Sequence, residues 1–274
     1  MAEDSGTGSY LLGDSPAEIR HLAAQAEVYS DVTVELFDLI GVEPGSAAID
    51  VGCGVMGVLD ELCERIGEGG TVVGLDREPR LLEFGRQLAE ERHLPVEFVE
   101  ADATATGLSD GTFDFVHARS LLMNVQNPLE ILAEMARIAR PGGVLAVQEP
   151  DAASWTCDPP HPAWEILRGE IVSAYRRTGK DLNIGRRIGR MLRELGVESV
   201  QMRPTLRITH PGEYFHTFLL TIANLVREVI IGSGELTGDE FAVYAQSLST
   251  HLREPGTITC QPIMWQAFGR MPTG

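Results

Sequence analysis

From residue 47 onward, short apolar runs alternate with stretches in which apolar residues recur every three or four positions. The runs are Ala47–Val51, Thr71–Leu75, Val96–Glu100, Phe113–Ala118 and Val144–Gln148. Most have the length and the near-continuous hydrophobicity of a strand buried on both faces. Between them, residues 58–66, 79–91 and 128–139 carry helical periodicity. Strands separated by helices predict right-handed βαβ units and a doubly wound α/β sheet. Pro44-Gly45 breaks the chain before the first run, and Pro141-Gly142-Gly143 stops a helix and leads into the fifth.

Both ends of the chain depart from this rhythm. Residues 1–14 read as an arm, and Ser15-Pro16-Ala17-Glu18 is a capping box with proline at the first helical position. Ile19, Leu22, Ala26 and Tyr29 then share a helical face, and a second helix is predicted over 32–40. After Glu149, the prolines at 150, 159, 160 and 162 mark a long loop carrying Trp155 and Trp164. Helices are predicted over 163–177, 184–195, 211–231 and 238–253, with strands at 199–208 and 257–268. Helices added late to an α/β domain commonly cap its site. The expected division is an arm with helices (1–45), a cofactor-binding core (46–150) and a helical cap with the final strands (151–274).

Composition narrows the chemistry. The chain has 274 residues, 43% hydrophobic and only 6% aromatic, enough for one large domain with an aliphatic core. A net charge of -18 repels phosphate backbones and anionic bilayers, so nucleic acid and membrane partners are not expected. Cys53, Cys63, Cys157 and Cys260 are scattered without metal-ligand spacing, and the histidines form no array, so no metal is implied. Unpaired thiols, the polar start and the lack of a long apolar run suggest a cytoplasmic protein. A homodimer is left open.

The chemistry concentrates after the first strand. Gly52-Cys53-Gly54-Val55-Met56-Gly57 fits GxGxxG, a turn where glycines let backbone N–H groups approach a ligand. That pattern alone would suit a dinucleotide. Asp50, two residues before the turn, would repel a diphosphate and favour a cationic ligand. Asp76 ends the second strand, where a carboxylate can take two ribose hydroxyls, the lesser reading being a cap on the following helix. Asp102 follows the third strand, where it can accept an adenine amine or simply shape a turn. Asp50 and Asp102 count against a dinucleotide-dependent oxidoreductase.

Together with Phe113-Asp114-Phe115-Val116 and Arg140-Pro141-Gly142-Gly143, these residues resemble the class I S-adenosylmethionine-dependent methyltransferases, in their small-molecule branch of quinone and natural-product enzymes. The resemblance spans about residues 10–150. It implies a Rossmann-like, seven-stranded sheet with an antiparallel last strand, and S-adenosyl-L-methionine as cofactor. By position it implies that Gly52, Cys53 and Gly54 pass the methionine part and that Asp76 takes the ribose beside Arg77. Asp102 and Ala103 would meet the adenine, Arg119 and Ser120 the methionine end, and Tyr10 and Gln25 would close over the cofactor. Glycine falls at Gly57 rather than at the position of Met56, a departure from many members.

The implied reaction is methyl transfer to O, N or C of a small organic acceptor, which requires in-line placement, exclusion of water and, for some acceptors, a base. Candidate bases are Glu149, at the end of the fifth strand, and His161, in the proline-rich loop. Asp151, Trp155, Trp164, Tyr214, Phe215 and His216 are candidate acceptor contacts, the aromatics equally suiting a cap core. A basic stripe, Arg176, Arg177, Lys180, Arg186, Arg187, Arg190 and Arg193, would suit an acidic substrate or a solvated helix face. The alternative reading is a methyltransferase-fold protein that uses the cofactor otherwise, as a cyclase, decarboxylase or regulator.

Overall fold

The computed structural model describes residues 28–273; Tyr10 and Gln25 lie outside them. The strands β1 (Ala47–Val51), β2 (Thr71–Asp76), β3 (Val96–Glu100), β4 (Phe113–Arg119) and β5 (Ala139–Asp151) are joined to each other in parallel. With β7 (Glu198–Thr205) and β10 (Ile263–Arg270) they make one seven-stranded sheet, in the order β3-β2-β1-β4-β5-β10-β7. β10, the last strand in the chain, runs antiparallel to both neighbours. This is the Rossmann-like architecture expected from the sequence.

The central strands are apolar on both faces because helices cover both. On one side, Leu36 and Phe37 of the helix Ser30–Ile40, Leu59 and Leu62 of Leu59–Ile66, and Leu81 and Leu82 of Pro79–Glu91 pack on Ala48 and Phe115. On the other, Leu132 and Met135 of Pro128–Ile138 and Ile188 and Leu192 of Ile188–Glu194 pack on Ile49 and Val116. Each fully buried aliphatic side chain of this kind contributes about 1.5–3 kcal/mol. Register places Asp50 of β1 level with Gly74 of β2 and His117 of β4.

Three expectations need correction. The fifth strand is thirteen residues long rather than five, because its start pairs with Phe113 and its end with Ile263. The stretch 257–268 is two strands: β9 (Ile258–Cys260) pairs with β6 (Thr156–Asp158) and β8 (Ile208–Thr209) in a separate small sheet, and only β10 enters the main one. Between them lies Gln261-Pro262, and proline lacks the N–H a continuous ladder needs. The stretch 211–231 breaks into a tight turn, Tyr214–Thr217, and two short helices, Phe218–Leu225 and Arg227–Gly232. With Pro162–Arg177 and Gly238–His251, these helices enclose a second core around Trp164, Leu167, Ile171, Phe241 and Leu248.

Candidate cofactor and acceptor site

A cavity of about 380 Å³ lies where the ends of β1, β2 and β4 and the turn after β3 meet the helices that follow β5. A parallel sheet brings these turns to one edge, which is why residues far apart in sequence line one space.

The turn after β1 is tightly specified. The Gly52 N–H donates to the Leu75 carbonyl at 2.7 Å. Its φ is +75°, and a Cβ there would stand 2.9 Å from Leu121 Cδ1. Asp76 reaches across from β2: its Oδ2 accepts the Gly54 N–H at 2.9 Å, and its Oδ1 accepts the Glu78 N–H at 3.0 Å. The second bond holds the residue just before the helix Pro79–Glu91 without capping the helix itself, and Asp76 borders the cavity as well. Burial pushes the Asp76 carboxyl above its usual range, against the pull of backbone N–H groups from Glu78, Gly54 and Arg77.

Asp50 is almost fully enclosed yet borders the same cavity. Its Oδ2 accepts the Val58 N–H at 3.2 Å, and its Oδ1 lies 2.8 Å from His117 Nδ1. His117 Nε2 in turn lies 3.0 Å from Gln148 Oε1, so the ring bridges two strands as a core histidine. The Cys53 thiol is buried beside this acid, and desolvation first, then the Asp50 and Asp76 charges, raise its pKa and keep it protonated. Asp102 Oδ1 accepts from the Thr104 hydroxyl at 2.6 Å and the Thr104 N–H at 2.8 Å, and these bonds hold its carboxyl below the ordinary value. The half-buried Arg119 donates to Thr33 Oγ1 at 2.9 Å and to the Gly57 carbonyl at 2.8 Å, with its guanidinium 5.9 Å from the Tyr29 ring centre.

Three carboxylates thus stand around a glycine turn, on the open edge of this sheet. Residues 49–147 match the methyltransferase domain family. Over these residues the chain is similar to a methyltransferase domain. A demethylmenaquinone methyltransferase of Bacillus cereus is 39% identical over 110 residues, which cover 40% of this chain and 46% of the relative. The chain thus spans less than half the length of the curated relatives it matches. The phosphoethanolamine N-methyltransferase 2 of Haemonchus contortus, solved with S-adenosyl-L-methionine, has a TM-score of 0.59 at 13% identity, covering 98% of this chain and 61% of that one. The cyclase SpnF has a TM-score of 0.54 at 18% identity, covering 88% of this chain and 81% of its own. At such identities the structural likeness is one of fold.

Within the matched stretch, Asp50, Gly52, Cys53, Gly54, Asp76, Arg77, Asp102, Ala103, Arg119 and Ser120 all border the cavity. The acceptor-side expectations divide differently. Trp155 borders it; Glu149, Asp151, His161, Trp164, Tyr214, Phe215 and His216 do not. Asp151 is held by Arg186 through two bonds of 2.7 and 2.6 Å. His161 caps the helix Pro162–Arg177 by accepting the Ala163 N–H and stacks on His251 with ring centres 4.8 Å apart. Trp164 is core, donating its indole N–H to the Trp155 carbonyl. The rings of Tyr214 and Phe215 meet each other, and Phe215 lies in a small cluster with Tyr29 and Met264. His216 is buried between the Thr209 and Leu252 carbonyls, 3.1 and 2.9 Å from its ring nitrogens. The aromatic wall is completed instead by Tyr29, Tyr175 and Phe218. Tyr29 stood on a predicted apolar helix face, and Phe218 and Ile222 share one at i,i+4 spacing, but spacing does not say which core a face meets.

Glu149 stands one layer behind the cavity. Its Oε1 accepts the Leu122 N–H at 2.6 Å and its Oε2 the Met123 N–H at 3.2 Å, fixing the turn Leu122–Asn124 that lines the space. Full burial pushes its carboxyl from the ordinary 4.5 to about 8. Between those values the folded state keeps a proton that the unfolded chain has released, so this group's stabilising contribution is lost as pH rises through that window. Glu149→Gln is uncharged at every pH and is expected to remove about 1 kcal/mol per pH unit of that fall. Urea titrations of both proteins from pH 5 to 8 check this; parallel profiles would refute it.

Proposed function

We propose that this chain binds S-adenosyl-L-methionine in the cavity and transfers its methyl group to O, N or C of a small organic acceptor. The observation that carries the reading is the convergence of Asp50, Asp76 and Asp102 on one cavity around the Gly52–Gly54 turn. A diphosphate would meet three acids there, whereas a sulfonium nucleoside meets a carboxylate for its charge and acceptors for its hydroxyls and amine. Asp76 would take the ribose, Asp102 and Ala103 the adenine edge, and Arg119 and Ser120 the methionine end. The bound cofactor supplies an already activated methyl group. The chain's part is to orient and to exclude water, which Trp155, Tyr175 and Phe218 do by closing the far wall.

The likeness to a quinone methyltransferase favours a small-molecule acceptor of quinone or natural-product type, and the scattered free thiols favour the cytoplasm. Among the described residues, no helix is long and apolar enough to cross a membrane. Calorimetry with S-adenosylmethionine, S-adenosylhomocysteine and NAD tests the cofactor, and incubation with methyl-labelled cofactor and cell extract tests transfer. Binding of the first two but not NAD, with label in a small product, is expected. Binding without transfer to any acceptor would favour the cyclase-like alternative, which the fold of SpnF keeps open. NAD binding alone would overturn the reading.

A further inference from the structure

The chain leaves β4 through a strained residue. Ser120 is not glycine, yet its φ is +54°, a left-handed conformation that persists only where the surroundings impose it. Its N–H donates to the Gln148 carbonyl at 2.9 Å, and its own carbonyl accepts from Asn124 Nδ2 at 2.9 Å. Leu121 follows, and it occupies the space that a side chain at Gly52 would need: a Cβ there would meet its Cδ1, Cδ2 and Cγ at 2.9, 3.1 and 3.3 Å. Gly52, Ser120 and Leu121 all border the cavity.

The anchor of this stretch is Glu149. It is 0% exposed and stays out of the cavity lining, so it acts through other groups. Its two oxygens accept the Leu122 and Met123 N–H groups, and the Leu121 N–H pulls on the same carboxyl. Successive backbone N–H groups converging on one acid form a nest of the kind that holds bound anions, and here the acid belongs to the chain itself. Gln148 and Glu149 are consecutive on β5, so one strand holds Ser120 by a carbonyl and the Leu122 turn by a side chain. The Met123 carbonyl accepts the Asp181 N–H at 3.3 Å and ties the far end of the turn. Buried N–H groups left without an acceptor are costly, so a turn that loses Glu149 must move to find new ones.

We infer that Glu149 is a positioning residue for the methionine end of the cofactor, holding the 120–123 stretch so that Leu121 closes on the Gly52 turn and Ser120 lines it. This rests on the cofactor reading above and gives the buried acid a task other than that of a base. The test compares S-adenosylhomocysteine with 5′-methylthioadenosine, which keeps the adenosine and lacks the amino-acid end, by calorimetry on the full chain. Glu149→Gln keeps the size and one acceptor but turns an NH2 group toward the second N–H. In protein with a native circular dichroism spectrum it is expected to bind S-adenosylhomocysteine about fivefold more weakly and methylthioadenosine within about twofold of native. Glu149→Met, which offers no oxygen, should widen the first loss to about tenfold or more with the second still small. A merely structural role would move both ligands together or neither. Leu121→Ala, which leaves every backbone bond in place, should show the same split by itself. In that background Glu149→Gln should weaken S-adenosylhomocysteine by no more than about twofold, because the side chain it positions is gone. Equal losses for the two ligands, native affinity for both in folded Glu149→Gln, no split in Leu121→Ala, or an undiminished effect of Glu149→Gln in the Leu121→Ala background would overturn the inference. A native chain that fails to take up S-adenosylhomocysteine would instead sink the cofactor reading, before any variant is compared.

Discussion

Asp76→Ala is expected to bind S-adenosylmethionine at least tenfold, and up to roughly a hundredfold, more weakly than the native chain. Hydrogen bonds to a charged group contribute about 1.5–3 kcal/mol, and each 1.4 kcal/mol is a factor of ten in affinity. Two losses coincide. The ribose hydroxyls lose their carboxylate, and the Gly54 N–H loses the 2.9 Å bond that ties the glycine turn to β2. The Glu78 N–H at the start of the next helix also loses its acceptor, so some stability will go with the affinity. Calorimetry on variant protein with a native circular dichroism spectrum separates the two. An affinity within twofold of native in such a protein would remove Asp76 from the ribose site.

The contrast between the two halves of the cavity shows where sequence suffices. Asp50, Asp76 and Asp102 were legible because each stands at the end of an apolar run, and parallel pairing must then gather those ends at one edge. Arg119 and Ser120 followed from the same logic at β4. Beyond the strand ends, the outcome turns on which way a residue points. Gln148 and Glu149 are consecutive on β5, so they face opposite sides of the sheet; one meets His117 and the other the Leu122 turn. No periodicity in the chain states which side holds the cavity. The cap is harder again. His161 and Trp155 lie in one proline-rich loop, yet the helix start claims the first and the cavity wall the second, a choice made by tertiary packing. The basic stripe is sorted the same way: Lys180 borders the cavity, and Arg186, Arg177, Arg187 and Arg190 pair with Asp151, Glu170, Asp181 and Glu194 at separations the sequence does not rank.

The largest loss of stability is expected from a single methyl group at Gly57. The sequence displaces this glycine by one position from where many related turns carry it, and the geometry explains what the position demands. Its φ is +50°, a region costing an L-residue about 1–2 kcal/mol. A Cβ would also fall 2.0 Å from Asp50 Oδ2 and 3.0 Å from the Cys53 carbonyl oxygen. The carboxylate cannot retreat cheaply, because His117 and the Val58 N–H hold its two oxygens. Leaving a buried hydrogen-bonding group unsatisfied costs about 1–3 kcal/mol, and a forced displacement of this carboxylate forfeits part of that. Gly57→Ala should therefore lose about 3 kcal/mol or more, lowering Tm by roughly 6–12 °C in a chain of this size. Gly41→Ala is the control: its φ is +75°, but nothing lies within 4 Å of the added Cβ. It should lose only the backbone share, about 1–2 kcal/mol. The excess at Gly57 then measures the collision with Asp50, and in an Asp50→Ala background most of that excess should vanish. Equal losses at Gly57 and Gly41 would show that the acid yields freely, and would remove the rigid Asp50 carboxylate on which a charge-selective turn depends.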